Sequence, residues 1–327
     1  MRSAGTVSGF LAESIESTRS ITQPILRVSI GNTVFDIQTC CAAVGEALRG
    51  HVGHLEVSVP SQRTIVIVDS EHIDAHVPSM SWKWSSTTYR DDSGIAYFLD
   101  YYKAIFASDQ QKSKYVLATR SFGPQDFSRR EVVRLLLQPI LSSEGLDVIH
   151  GASVGDHNRA VLLAGPGGSG KSTLVAASVR HGFYTVGEDF LVLNVNERNP
   201  DKVFVYSLFR SGKLVSSGPE ADEFIPVSRS EDEKNVVFLD QLRPAVVLAQ
   251  EVVATATIRR GLLSSILPGK WTDFATALLP YSAPLTFEPM RMTSYVNNFL
   301  REKPTYDVIS GPDIRNTLGL IERLLSE

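Results

Sequence analysis

Cysteine is nearly absent from this 327-residue chain. The two cysteines, Cys40 and Cys41, are neighbours. A disulfide between adjacent residues is strained, so a disulfide-stapled secreted scaffold is excluded and a reducing, cytoplasmic setting is expected. Long apolar runs are absent too. No stretch approaches the roughly 20 apolar residues that cross a bilayer as a helix. The opening MRSAGTVSGFLAESIESTRS has no continuous apolar core before its glutamates, so neither a membrane span nor a removed leader is expected. A charge excess is missing as well: 32 Lys and Arg against 36 Asp and Glu give a net charge of -4. Such a balance offers no general attraction to nucleic acid or an anionic membrane. What remains is an ordinary globular mixture, 43% hydrophobic and 21% charged, in a chain longer than one usual domain. Two domains, or one with a large appendage, are expected.

Residues 1–20 read as a polar tail. ILRVSIGNTVFDIQ alternates apolar and polar residues around Gly31-Asn32 and predicts a hairpin, and RTIVIVDS at 63–70 predicts a buried strand. GIAYFLDYYKAIFA and SRREVVRLLLQPILSSEG carry helical apolar spacing, and Pro139 should end or kink the second helix. Residues 21–140 therefore read as a smaller α+β module. After Gly145 come short β-branched runs, LDVIHGASV, AVLLAGP, YTVGEDFLVLNV, KVFVYSLF, NVVFLDQ and PAVVLAQEV, with one clear helix among them. This pattern predicts an α/β nucleotide-binding core over 141–327. At its end Asp313 can cap a helix whose Ile314, Leu318, Ile321 and Leu325 share a face. No internal repeat or low-complexity tract occurs.

The strongest chemistry lies in AVLLAGPGGSGKSTLVAASVRHGF, residues 160–183. Gly165, Gly167, Gly168, Ser169, Gly170, Lys171 and Ser172 fall within a G-x-x-x-x-G-K-[ST] pattern that follows a strand and opens a helix, the context this P-loop pattern requires. Glycines let successive backbone N–H groups curl around phosphate oxygens, and the helix N-terminus adds partial positive charge. Lys171 supplies a full charge to the outer phosphates, the Ser172 hydroxyl can join a Mg²⁺ shell, and Thr173 adds a further hydroxyl. A nucleoside triphosphate with Mg²⁺, ATP above all, is the expected ligand. No N-K-x-D guanine-reading motif and no L-S-G-G-Q-like transporter segment accompanies it, and the pattern sits mid-chain, unlike a simple nucleotide kinase.

Glu188-Asp189 follows Lys171 by 17 residues, enough for one helix and a turn into the adjacent strand. One carboxylate could hold Mg²⁺ and the other accept the proton of an attacking hydroxyl. Asp240 after NVVFL is a second candidate for the metal role. His150-Gly151 lies one hairpin upstream of the glycines. His-Gly, a hairpin, G-P-G-G-S-G-K-S-T and a Gly-x-x-x-Val-x-Glu-Asp strand together resemble the HPr kinase/phosphorylase family, most closely over 146–195 and moderately to about 270. The resemblance implies a phosphoenolpyruvate-carboxykinase-like core that phosphorylates a serine hydroxyl with ATP and Mg²⁺. It also implies that His150 lies near the transferred phosphate and that Asp189 and Glu188 share the acid/base and metal roles.

Two departures stand out. The family's acidic pair is usually two aspartates, whereas Glu188 comes first here. The family's P-V-x-P-G-R-N segment is echoed only by SILPGKWTD, with Lys270 for the arginine. An ammonium lacks a guanidinium's bidentate grip, so a kinase without significant phosphorylase activity is expected. The chain is more similar still to the smaller HPr-kinase-like proteins of bacterial peptide modification, some of which phosphorylate a serine of a precursor such as a lasso peptide.

Transition-state charge needs a further cation. Arg210, Lys213, Arg229, Lys234, Arg243, Arg259 and Arg260 all follow the loop, and Lys234 and Arg210, at strand ends, are preferred. SSGPEADEFIPVSRSEDEKN at 216–235 reads equally as a lid or peptide-docking loop and as a disordered excursion. His51, His54, Asp69, His72, Asp74 and His76 lack a helix to hold them in ligand geometry, so no metal site is expected among them. Trp82, Trp84 and Tyr89 read as core or interface residues. The expectation is thus an ATP- and Mg²⁺-dependent kinase acting on a serine of a protein or peptide, with no nucleic-acid or membrane partner and with homo-oligomerisation left open. A small-molecule hydroxyl kinase and a non-catalytic ATP-binding regulator are the alternatives.

Overall fold

The computed structural model describes residues 9, 11–12, 26–39, 41–61, 63–68, 88–99, 104–119, 130–194, 202–215, 223–229, 234–282 and 289–326. The expected polar tail, Cys40, Asp69, His72, Asp74, His76, Trp82 and Trp84 lie outside the described residues, apart from three positions of the tail. The chain divides into two compact units, Met1–Ile140 and Leu141–Glu327. Both are mixtures of helix and sheet.

The first unit holds one seven-stranded sheet. Its strands are β1 (Leu26–Ile30), β2 (Thr33–Thr39), β3 (Arg63–Val68), β4 (Thr88–Asp91), β5 (Gly94–Leu99), β6 (Ala104–Asp109) and β7 (Lys114–Thr119), in the order β1-β2-β3-β7-β6-β5-β4. The predicted hairpin forms: β1 and β2 pair antiparallel, with Gly31 at φ 58 in the turn. Its tight register needs a left-handed residue there, which glycine adopts without a Cβ clash. The predicted strand forms as β3, with Ile65 and Ile67 fully buried. Between β2 and β3 runs helix α1 (Ala42–Val52), which carries His51, buried at its last turn, while His54 sits in the turn after it.

GIAYFLDYYKAIFA is not the helix its spacing predicts. It supplies β5 and β6, which pair antiparallel from Gly94↔Asp109 to Leu99↔Ala104. A near-continuous aromatic and β-branched run fits helical and strand periods alike, and strand propensity prevails in a sheet that buries Ala96, Phe106 and Ala107. Gly94 permits the pairing: a Cβ there would lie 2.1 Å from the Ser108 carbonyl oxygen. The second predicted helix is present as α2 (Arg130–Ser143), but it runs on past Pro139. The proline removes one backbone donor, and burial of Val133, Leu137, Ile140 and Leu141 offsets that loss.

The second unit is built on β8 (Leu146–Gly155), β9 (Arg159–Ala164), β10 (Glu188–Asn194), β11 (Phe204–Ser207), β15 (Ala249–Arg260), β16 (Ser265–Pro268) and β17 (Thr305–Ser310). The strand order is β11-β10-β8-β9-β15-β17-β16. Because β11 also pairs with the start of β15, strands β8, β9, β15, β11 and β10 form a closed circuit of pairings. A separate small sheet has the order β12 (Ser211–Leu214), β14 (Asn235–Phe238), β13 (Ser228–Arg229). Helix α3 (Lys171–Arg180) and the C-terminal helix α6 (Ile314–Ser326) cover one core, which includes Leu163, Leu174, Val175, Ala256 and Ile321. Helices α4 (Trp271–Ser282) and α5 (Pro289–Phe299) cover the other, which includes Leu162, Leu191, Phe274 and Val296.

Helix α6 forms as predicted. Asp313 Oδ1 accepts the Arg315 N–H at 3.1 Å, and Leu318, Ile321 and Leu325 are buried. Helices α4 and α5 have no counterpart in the sequence reading. Within 216–235, residues 223–229 and 234–235 are described. Phe224 packs with Ala176, Leu214 and Val237, Arg229 pairs with Asn235, and Arg180 forms an ion pair with Glu223, so the middle of this segment is anchored. Among the described residues no helix is long and apolar enough to cross a membrane.

Candidate functional site

Strand β9 ends at Ala164, the glycines follow, and α3 begins at Lys171. The path of this loop is dictated by its glycines. Gly168 (φ 79) and Gly170 (φ 107) occupy the left-handed region, and Gly170 is the N-cap of α3. At Gly167 and Gly168 a Cβ would meet nothing within 4 Å, leaving the backbone open to close approach. Ser169 is 8% exposed, and its Oγ has no hydrogen-bond partner. A buried hydroxyl without a partner costs free energy unless something binds there.

Lys171 is buried and its Nζ donates to the Gly165 and Pro166 carbonyls at 2.6 and 3.3 Å. Burial pulls its pKa below the ordinary 10.5, with Lys234 acting in the same direction and Glu188 and Asp189 opposing. In the first turn of α3, Ser172 Oγ donates to Glu188 Oε2 at 2.8 Å, and Thr173 is half-buried beside it. Gly165, Gly167, Gly168, Ser169, Gly170, Lys171, Ser172 and Thr173 thus line one loop and helix tip.

Glu188 and Asp189 open β10. Their strand is not adjacent to β9, as the spacing predicts; β8 lies between, because the chain crosses beyond the hairpin after α3. Glu188 still reaches the loop, since its long side chain spans the gap. It is 2% exposed and its Oε1 accepts the Lys213 backbone N–H. Asp189 points elsewhere. Its Oδ1 lies 3.2 Å from His150 Nδ1 and its Oδ2 3.8 Å from Lys213 Nζ. Its φ of 74 is a left-handed value that costs a non-glycine residue energy, and such strain concentrates at functional sites. Immediately before it, Thr185 Oγ1 accepts the Gly187 N–H at 2.9 Å and donates to the Gly187 carbonyl at 3.0 Å. Ser153, Thr185 and Gln250, all fully buried, form one hydrogen-bonded group under this corner.

His150 sits on β8 opposite Phe190, and its backbone N–H donates to Ser282 Oγ at 2.9 Å. Its ring lies 5.7 Å from that of Tyr281 and 6.2 Å from that of Phe190. Tyr281 and Ser282, at the end of α4, are missed in the sequence, where an unpredicted helix end carries no motif. The preference among cations shifts as well. Lys213, on β12, faces Asp189, while Arg210 lies 3.8 Å from Asp240 and stacks on Phe238. Asp240, the second metal candidate, is therefore engaged with Arg210. Lys234 acts on Lys171 through charge alone. Arg243 donates to the Phe183 carbonyl and lies over the Tyr184 ring. Lys270 is exposed just before α4. Among the described residues no group of three or more His, Cys, Asp or Glu has metal-holding geometry.

The loop and acids fit a metal–polyphosphate ligand on their own geometry: open glycine backbone, a partnerless buried hydroxyl, a helix N-terminus, and a hydroxyl–carboxylate pair at its first turn. No protein-family model and no curated protein sequence matches the chain. Among solved structures, an HPr(Ser) kinase/phosphatase from Coxiella burnetii overlaps 55% of this chain and 93% of its own, at 15% identity and a TM-score of 0.29. An overlap that loose establishes neither family nor activity.

Proposed function

We propose that the second unit is an ATP-dependent kinase that transfers the γ-phosphoryl group to a serine hydroxyl of a protein or precursor peptide. The observation that carries this reading is the split of the acidic pair, with Glu188 bonded to a hydroxyl on the glycine-loop helix and Asp189 turned to His150 and Lys213. The loop amides and the tip of α3 bind the phosphate tail, and Lys171 exchanges loop carbonyls for phosphate oxygens. Ser172 and Glu188 would hold Mg²⁺, whose chemistry is to neutralise charge on the phosphate oxygens. Asp189 then accepts the proton of the acceptor hydroxyl at a carboxylate oxygen as the new O–P bond forms and the bond to the ADP oxygen breaks. His150 Nδ1 orients that carboxylate, and Lys213 offsets the charge developing beside it.

The test is mass spectrometry of serine-containing peptides incubated with the full chain, ATP and Mg²⁺. A phosphate increment on the serine, with ADP release that depends on peptide, supports the reading. Peptide-independent transfer to a small alcohol would replace the acceptor class, and calorimetry showing no uptake of MgATP would overturn the reading altogether.

A further inference from the structure

Strand β15 runs parallel to β9, with Thr257 opposite Ala164, so its last residues overhang the glycine loop. Arg260 closes this strand. Its Cγ and Nε come within 3.7 and 3.9 Å of where a Cβ would stand on Gly170, the N-cap of α3. The base of the side chain is fixed: Arg260 pairs with Ser310, and the next residue, Gly261, donates its N–H to the Ser310 carbonyl at 3.0 Å. The guanidinium is exposed and, among the described residues, has no hydrogen-bond or ion-pair partner. Arg180, Arg210 and Arg159 all have carboxylates within 4 Å.

Electrostatically this arrangement is unfavourable by itself. A helix N-terminus carries partial positive charge and favours anions, yet Arg260 brings a second full charge to a tip that already buries Lys171. The partnerless Ser169 Oγ lies in the same loop. An anion lodged at this tip relieves all three at once. Resting on the nucleotide reading above, we propose that Arg260 is a nucleotide-binding residue that grips the non-transferred phosphates of ATP and ADP from the β15 side. Lys213 faces Asp189 instead, so the two cations divide the phosphate tail: one holds the part that stays and the other serves the part that moves.

Calorimetry with MgATP and MgADP on the full chain tests this without any acceptor. Arg260→Ala should weaken both nucleotides about tenfold, in keeping with the loss of one charge-assisted phosphate contact. Arg260→Lys should recover part of that loss, because a point charge replaces a bidentate fork. Arg259→Ala, which removes the same charge one residue away, should bind like the parent protein. Unchanged affinity of Arg260→Ala with an unchanged melting temperature would overturn the assignment, as would equal weakening by Arg259→Ala. If the parent protein binds neither nucleotide, the underlying kinase reading fails and takes this assignment with it.

Discussion

Glu188 and Asp189 are consecutive residues with opposite surroundings. The Glu188 flank is nearly sealed, and its carboxylate is tied to the Ser172 hydroxyl and to the Lys213 main chain. The Asp189 flank is more open and is bounded by ionisable side chains, the His150 ring and the Lys213 ammonium. A carboxylate fixed to a helix-tip hydroxyl is suited to stay charged and hold a cation. A carboxylate on the more open flank, oriented by an imidazole, is the one an incoming hydroxyl can approach. On the proposed reading the pair divides the labour in a way that the consecutive letters E and D do not reveal: Glu188 reaches the hydroxyl at the tip of α3, and Asp189 turns to His150 and Lys213.

The sharpest way to break this contrast is Asp189→Asn. Transfer should fall about a thousandfold, as for a lost general base, while calorimetry shows MgATP still bound. Comparable turnover by this variant would erase the distinction. Glu188→Gln should act on the metal instead, raising the Mg²⁺ concentration for half-maximal activity about 10- to 100-fold in a titration, with residual transfer restored at high Mg²⁺.

A third contrast concerns Lys171, whose pKa both acids raise against the lowering by burial. MgATP affinity should decline as pH rises through the lowered lysine value, beginning below 10.5, by up to about tenfold per pH unit. Ligand-free stability should move the other way. Over that window the unfolded chain holds the proton more firmly than the folded one, so this residue's contribution to stability grows with pH. Glu188→Gln should bring the decline in affinity to lower pH than Asp189→Asn does, since Glu188 is the larger of the two influences. Lys171→Met should abolish both dependences. The smallest change in activity is expected from Thr185→Val, which unclamps Gly187 ahead of both acids. It should lower stability by about 1–3 kcal/mol in denaturant unfolding. Transfer and Mg²⁺ affinity should decline together, by a similar few-fold factor, because neither flank is favoured.

Much of this corner is legible in the chain because its parts are local. The β8–β9 hairpin, the glycine loop, α3 and the start of β10 follow one another within 146–194, and each carries its own pattern of β-branched runs or glycines. Gly170 and Gly182, at either end of α3, are readable for the same reason: both need positive φ. The remainder depends on contacts between distant segments. Lys213, Tyr281 and Ser282 reach Asp189 and His150 only through β12 and α4, and nothing in SGKL or LLPYS announces that meeting. Arg210 is well placed for a phosphate ligand by position, but Asp240, its neighbour at the end of the β12–β14 pairing, engages it. In the first unit, GIAYFLDYYKAIFA is misread because its apolar positions satisfy two periods, and only pairing partners decide between them.

Closure of the β8, β9, β15, β11 and β10 pairings covers the edge that β11 would otherwise present, next to the strand bearing both acids. Amide protons in such a ring exchange with solvent only when several strands part together, whereas those of Ser265, Ile266 and Leu267 in β16, at the outer rim, can be released one strand at a time. Deuterium uptake should therefore reach β16 early and the ring last. Partial opening of the rim would leave the loop, its helix and the carboxylates in register until the ring itself gives way.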